Sequence, residues 1–333
     1  MTATPNIVII GTGGTIAGQA GSATDLAYEA AKLSVDDLLQ AVPGLENVAK
    51  ISAENLFSLN SKDMGPAEWQ RLAGRIEETL KDPGISGVVI THGTDTLEEA
   101  ALFLHLTVRS EKPVVLTGSM RPATALSADG PANLYQAVQV SASREAAGRG
   151  VMVVMNGDIL PARHVVKRHS IATSAFAAYP GGAMGSVYPG HTFFASPPGL
   201  PSMAGAFEEL TDPETAIPAV GVHYAAAAGD ERSLAGWVAS ECRGLVIAAF
   251  GCGEIPQLLL PGIEELSGRG ICVVVSSRVG GVAVMPETMT PQQADNVIAS
   301  GHLNPQKSAL LLALTLATGR TPQAVFSNVG CGG

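Results

Sequence analysis

Short apolar runs rich in valine and isoleucine recur along the chain, over residues 7–10, 87–90, 114–116, 151–155, 245–249 and 271–275. Runs of this length without polar alternation mark strands covered on both faces. Helical patterns fall between them, over 66–81, 97–108 and 133–147. Strand and helix alternating in this way predict an α/β protein built on a mainly parallel sheet flanked by helices. Residues 197–218 break the pattern, since proline, glycine, aspartate and glutamate recur there with no sustained period. That composition predicts a linker with little buried backbone. The expected organisation is an N-terminal α/β domain over 1–196, a linker over 197–218 and a smaller C-terminal α/β domain over 219–333. The latter carries an apolar helix over 305–317, opened by Asn304 as N-cap and Pro305 in the first turn.

Composition narrows the class of molecule. A chain of 333 residues that is 46% hydrophobic can bury a large core. Only 15% of residues are charged, yet no unbroken apolar run has the length of a membrane span, so no membrane association is expected. Acidic residues outnumber basic ones by 30 to 20, and a net charge of −10 has the wrong sign for attracting phosphate backbones. Nucleic acid is therefore not an expected partner. The opening Met1-Thr2-Ala3-Thr4-Pro5 lacks a basic segment, and the apolar run after it is too short for a secretory leader. Cys242, Cys252, Cys272 and Cys331 form no CxxC and no zinc-like spacing. Reduced, buried thiols in a cytoplasmic protein are expected, or in a periplasmic or secreted one whose signal segment has been removed.

Four loops carry polar groups suited to chemistry. The first strand runs into Gly11-Thr12-Gly13-Gly14-Thr15-Ile16-Ala17-Gly18, at a strand's carboxyl end, where open α/β sheets place ligands. Ile16 stands where a dinucleotide-binding turn needs its third glycine, and no GxxxxGK[ST] occurs, so neither nucleotide motif is met. The loop presents the Thr12 and Thr15 hydroxyls and free backbone N–H groups, although a purely structural turn explains the local pattern equally well. The second loop, Thr91-His92-Gly93-Thr94-Asp95-Thr96-Leu97-Glu98-Glu99, leads into a helix, and Asp95 with Glu98, or Thr96 with Glu99, fits a capping box. His92 reads as hydrogen-bonded scaffold rather than as a base. In the third, Arg121 and Asp129 are placed to form a structural ion pair at a turn. The fourth, Arg163-His164-Val165-Val166-Lys167-Arg168-His169, is either a solvated basic stretch or the source of a desolvated lysine able to take a hydroxyl proton. No GxSxG or HExxH occurs.

Taken together, Thr-Gly-Gly-Thr-Ile-Ala-Gly at 12–18, Thr-His-Gly-Thr-Asp-Thr at 91–96 and Ser-Ala-Asp-Gly-Pro at 127–131 resemble the bacterial-type L-asparaginases, close to their type II branch. The match extends to Asn304-Pro305-Gln306-Lys307 and so spans nearly the whole chain. The resemblance implies a homotetramer built from intimate dimers, with each C-terminal domain contributing to the neighbouring subunit's site. It implies that Thr15 is the nucleophile, that Tyr28 on a mobile loop helps activate it, and that Gly18, Gly21 and Ser22 give that loop its freedom. Thr94, Lys167 and Asp95 match a second triad, Ser61 the group that binds the substrate's α-carboxylate, and Asp95 also the anchor for its α-ammonium. The reaction implied is hydrolysis of L-asparagine to L-aspartate and ammonia through an acyl-enzyme, without metal or organic cofactor.

The sequence departs from the family pattern around the substrate. Lys62 replaces an expected glutamine or glutamate and would weaken ammonium binding unless it points away or pairs with a carboxylate. Glu254 replaces an asparagine or serine expected from the neighbouring subunit, and Met289 falls where a glutamate is expected, with Glu287 two positions earlier. One expectation is that Glu254 or Glu287 supplies the missing negative charge. The alternatives are a glutaminase-asparaginase or related amidase, and a non-catalytic sensor for asparagine or aspartate.

Overall fold

The structure is a computed structural model describing residues 4–25, 28–199, 201, 203–281, 283–289 and 296–330. It comprises two units, Met1–Pro213 and Glu214–Gly333. In the first, the strands are β1 (Asn6–Gly13), β2 (Gln19–Ala20), β3 (Tyr28–Glu29), β4 (Lys50–Leu59), β5 (Gly87–Thr91), β6 (Val114–Thr117), β7 (Val151–Met155), β8 (Asp158–Pro161), β9 (Val165–Lys167), β10 (Phe176–Ala178), β11 (Gly185–Tyr188) and β12 (His191–Phe194). Its helices are α1 (Val35–Gln40), α2 (Pro66–Leu80), α3 (Leu97–Thr107) and α4 (Gly130–Ala142).

Eight strands form one sheet in the order β12-β11-β8-β7-β6-β5-β1-β4. The ladders joining β4, β1, β5, β6 and β7 are parallel, and those joining β7, β8, β11 and β12 are antiparallel. The central strands are the apolar runs anticipated from sequence: β7 coincides with its run, β5 and β6 gain one residue each, and β1 gains one residue before and three after. Alternation sends Ile7, Ile9, Val89, Val115, Met152 and Val154 to one face, where they pack with Leu134, Ala137 and Val138 of α4. The other face meets α2 and α3.

Two expectations change here. Helix α4 begins at Gly130 rather than 133, because Pro131 in the first turn has no N–H to satisfy, and it stops at Ala142, because Ser143 turns extended and caps a separate short turn. The segment read as a linker is largely part of this unit. Phe207 is fully buried, its N–H donates to Leu106 O at 2.7 Å, and Gln70 Nε2 donates to Asp212 O at 2.9 Å.

The second unit holds β13 (Gly221–Tyr224), β14 (Gly244–Ala249), β15 (Cys272–Ser277) and β16 (Val297–Ala299), all parallel and in that order. Helices α5 (Ala235–Ala239), α6 (Leu260–Gly268), α7 (Pro305–Ala317) and α8 (Pro322–Gly330) complete it. Asn304 caps α7 as anticipated, its side chain accepting the Lys307 N–H at 3.1 Å. No helix among the described residues is long and apolar enough to cross a membrane.

Candidate active site

Strand order in the large sheet locates the chemistry. From β1 the chain crosses to β4 on one side and then to β5 on the other, so the winding reverses at β1. Ligands of open α/β sheets collect at the carboxyl ends of strands beside such a reversal. Those ends are the loops after β1 and β5, which carry Thr15 and Thr94.

These loops meet backbone to backbone. Gly13 and Gly14 adopt φ of 97 and 81°, which side chains disfavour, and they turn the chain into the short 3-10 turn Thr15–Ala17. A Cβ on Gly14 would stand 2.2 Å from Gly93 Cα, and one on Gly93 would stand 2.5 Å from Ser61 Oγ. Three loops therefore touch at Gly14, Gly93 and Ser61. Hydrogen bonds fix the junction: Thr12 Oγ1 donates to Thr91 O at 2.9 Å, and Thr96 Oγ1 to Ser61 O at 2.8 Å.

Lys167, at the end of β9, brings its ammonium to the second loop. Nζ donates to Thr94 Oγ1 at 2.9 Å and to Asp95 Oδ1 at 2.6 Å. Thr94 is buried and Lys167 mostly so, whereas the Asp95 side chain is 59% exposed. Within the basic segment Arg168 and His169 are exposed, whereas Lys167 is half-buried. His169 Nδ1 accepts the N–H groups of Ile171 and Ala172, both at 3.0 Å, and shapes the turn after the lysine.

Neighbouring groups act as scaffold. His92 is fully buried with Nδ1 2.8 Å from Gly93 O, and burial pushes its pKa down to about 4, so it is neutral at physiological pH. The capping box anticipated after it does not form. Thr96 is the N-cap and makes no side-chain cap bond, while Glu98 Oε2 accepts the Lys167 N–H at 2.7 Å. Nor do Arg121 and Asp129 pair through their side chains. Asp129 instead accepts the N–H groups of Met120 and Arg121 at 2.9 and 3.0 Å, and the Arg121 guanidinium donates to Ser127 O. A carboxylate that can take two adjacent amides satisfies more of the turn than one ion pair would.

A cleft of about 500 Å³ opens over this junction, lined by Thr15, Thr94, Asp95 and Lys167. Ala23, Thr24 and Asp25 line it too, as do Met120, Arg121, Pro122, Ala125, Leu126, Ser170 and Ile171. Most of these latter residues escaped the sequence reading, since small and apolar loop residues carry no chemical signature. The loop bearing Ala23 is pinned across the cleft: Leu126 N–H donates to Ala23 O at 2.9 Å and Ala123 N–H to Gly18 O at 3.0 Å.

The remaining candidates are placed differently. Tyr28 pairs with Ala20 through its backbone, and its side chain lies outside the described residues. Ser61 is buried against Gly93 and does not line the cleft. Lys62 is exposed and lies 3.6 Å from Asp63 Oδ1. In the second unit, Glu254 and Glu287 are exposed, and Met289 is buried in that unit's core. Their loops are tied together by Thr288 Oγ1, which donates to Cys252 O at 2.7 Å. Of the cysteines expected to be buried, Cys272 is, Cys242 is half-buried and Cys252 is exposed in a glycine-flanked turn; Cys331 lies outside the described residues.

Comparison with known proteins agrees over both units. Residues 6–199 match the family model described as asparaginase, N-terminal, and residues 219–327 that of the glutaminase/asparaginase C-terminal domain. The chain is 40% identical over 323 residues to the probable periplasmic L-asparaginase of Haemophilus influenzae, covering 96% of this chain and 91% of that one. It is also 40% identical over 314 residues to the glutaminase-asparaginase of Acinetobacter glutaminasificans, covering 93% and 95% respectively. A crystal structure of the probable cytoplasmic L-asparaginase from Campylobacter jejuni superposes with a TM-score of 0.88 at 39% identity, covering 98% of this chain and 99% of that one.

Proposed function

The chain belongs to the asparaginase family and is an amidohydrolase, and from that premise we propose that it hydrolyses L-asparagine to L-aspartate and ammonia with Thr15 as nucleophile. The observation that carries this reading is the presence of Thr15 in one cleft with the hydrogen-bonded group Thr94, Lys167 and Asp95. Thr15 Oγ attacks the carboxamide carbon while loop N–H groups hold the oxyanion. The proton displaced from Thr15 Oγ goes to the amide nitrogen, which leaves as ammonia as the C–N bond breaks. The Lys167 ammonium first gives a proton to Asp95 Oδ1, 2.6 Å away, and the neutral Nζ then takes the Thr94 hydroxyl proton as Thr94 Oγ1 takes one from the water that attacks the ester. Cleavage of the ester releases aspartate and returns a proton to Thr15 Oγ.

Asp95 spends Oδ1 on Lys167, which leaves Oδ2 for the substrate's α-ammonium. The family resemblance assigns Ser61 to the α-carboxylate; it touches the Thr94 loop at Gly93 but does not itself line the cleft, so this assignment requires the Gly93 junction to open towards the substrate. Lys62 is compatible with this arrangement because it is exposed, faces Asp63 and does not line the cleft. Tyr28 is assigned to activating Thr15, and Glu254 or Glu287 to the substrate of a neighbouring subunit in a homotetramer built from intimate dimers. The cytoplasm is the compartment proposed, in line with the Campylobacter jejuni protein.

A second reading, glutaminase-asparaginase, has a specific basis: the Acinetobacter protein is as similar to this chain as the Haemophilus one. A sensor would need no lysine held against a buried hydroxyl. Ammonia release from L-asparagine and L-glutamine, measured side by side with the Thr15→Ala variant, tests these readings. Asparagine turnover lost in the variant supports the proposal; equal turnover of both amides favours the second reading; no turnover of either overturns the asparaginase assignment.

A further inference from the structure

Lys167 stands at the end of a three-residue strand, a weak support for a side chain whose reach decides whether a proton can move. Its partner strand β10 does not hold the lysine's own amide. The Phe176↔Lys167 pair is flanked by Arg168 N–H donating to Ala175 O at 2.8 Å, while the Lys167 N–H points the other way, to Glu98 Oε2 at 2.7 Å. Glu98 is buried in the first turn of α3, three residues after Asp95. One rigid helix start thus bears, within five residues, the hydroxyl and carboxylate that receive Nζ and the carboxyl oxygen that fixes the backbone behind it.

We propose that Glu98 is a positioning residue: by holding the Lys167 main-chain amide to the same turn that carries Thr94 and Asp95, it sets the distance and direction from which Nζ meets Thr94 Oγ1. This rests on the role given above to Lys167. A lysine side chain has four rotatable bonds, so shifting its Cα lets Nζ reach Asp95 from poses that miss Thr94. A misplacement of about 1 Å at a reacting group can cost on the order of 100-fold in rate.

Steady-state ammonia release and thermal unfolding are measured for Glu98→Ala, Glu98→Gln, Lys167→Ala and the double variant Lys167→Ala/Glu98→Ala. Glu98→Ala is expected to lower kcat by on the order of 10- to 100-fold with KM changed less than about twofold. Glu98→Gln, whose amide oxygen accepts the same N–H, is expected to stay within a few-fold of the parent. On the Lys167→Ala background, removing Glu98 is expected to cost residual turnover nothing further, because the group it positions is gone. If Glu98→Ala does not fold, Glu98→Met, of similar length and without the acceptor, carries the same expectation. An inactive Lys167→Ala with an unimpaired Glu98→Ala overturns this proposal alone, as does an equal loss from Glu98→Ala on both backgrounds. A fully active Lys167→Ala overturns the role of the lysine and this proposal together.

Discussion

Adding one methyl group at Gly14 separates the two loops that make the candidate site. A Cβ there would lie 2.2 Å from Gly93 Cα and 2.4 Å from Gly93 N. Non-bonded carbons sit comfortably at about 3.5 Å or more, so the Gly14 and Gly93 backbones must move apart by roughly 1.3 Å. Neither can yield by a rotamer change, because both contacts are to main chain. The backbone adds its own cost: Gly14 has φ 81° and ψ −168°, a region essentially reserved for glycine, worth about 1–3 kcal/mol against any other residue. Forced overpacking contributes about 1–3 kcal/mol more, so Gly14→Ala should lose about 2–6 kcal/mol of stability. Ammonia release should fall by on the order of 100-fold, since Thr15 follows Gly14 directly and Thr94 follows Gly93. Gly190→Ala is the control, with φ 82° and nothing within 4 Å of its Cβ. It should cost about 1–2 kcal/mol and leave turnover within twofold. Chemical unfolding and ammonia release on the two variants read both quantities. Equal destabilisation of the two, or Gly14→Ala retaining a third of parental turnover, would refute the argument that the loop contact sets the geometry.

Three further outcomes follow from other parts of the site. The pKa of His92 is depressed to about 4 in the fold against about 6.5 when unfolded, so its contribution is fully present above pH 6.5 and is lost as pH falls to about 4, reaching about 3 kcal/mol. Unfolding midpoints at pH 7.5 and 4.5 should differ more for the parent than for His92→Gln, and parallel behaviour would count against a buried neutral imidazole. Asp129→Ala leaves the Met120 and Arg121 amides without their acceptor and should destabilise by about 1–3 kcal/mol while raising KM, because both residues line the cleft; an unchanged KM would contradict the latter. If Glu254 or Glu287 supplies charge to a neighbour's substrate, Glu254→Gln or Glu287→Gln should raise KM for asparagine sharply, and no change in either sinks that assignment.

The central strands were legible because burial on both faces writes itself as an unbroken apolar run, as over Val151–Met155. The strand β4 was not, because it lies at the sheet edge and interleaves Lys50, Ser52, Glu54 and Asn55 with apolar residues; Glu54 pairs with Arg75 at 2.6 Å. The motif around Thr94 was legible as a unit, but Glu98 inside it was misread. At the start of a helix, a glutamate three residues after an aspartate matches the spacing of a cap, and sequence spacing cannot reveal an acceptor whose donor lies 69 residues away. Asp129 was assigned a structural role but the wrong partner, because side-chain charges are visible in a sequence and free amides are not. The cleft's apolar rim, Leu126 and Ile171, had no signal at all, being exposed hydrophobics of a kind common on protein surfaces.

The reversal of winding at β1 also has a temporal side. Thr94 and Lys167 are 73 residues apart in the chain, with α3, β6, α4, β7 and β8 between them. At about 5–20 residues per second, a ribosome needs on the order of ten seconds to travel from one to the other. During that interval the growing chain already holds Thr15 and Thr94, yet has no amine beside the second hydroxyl. Under the proposed mechanism, a chain stalled short of β9 lacks the amine beside Thr94, so this part of the site awaits a single three-residue strand, and the neighbour's Glu254 and Glu287 come later still, with the second unit.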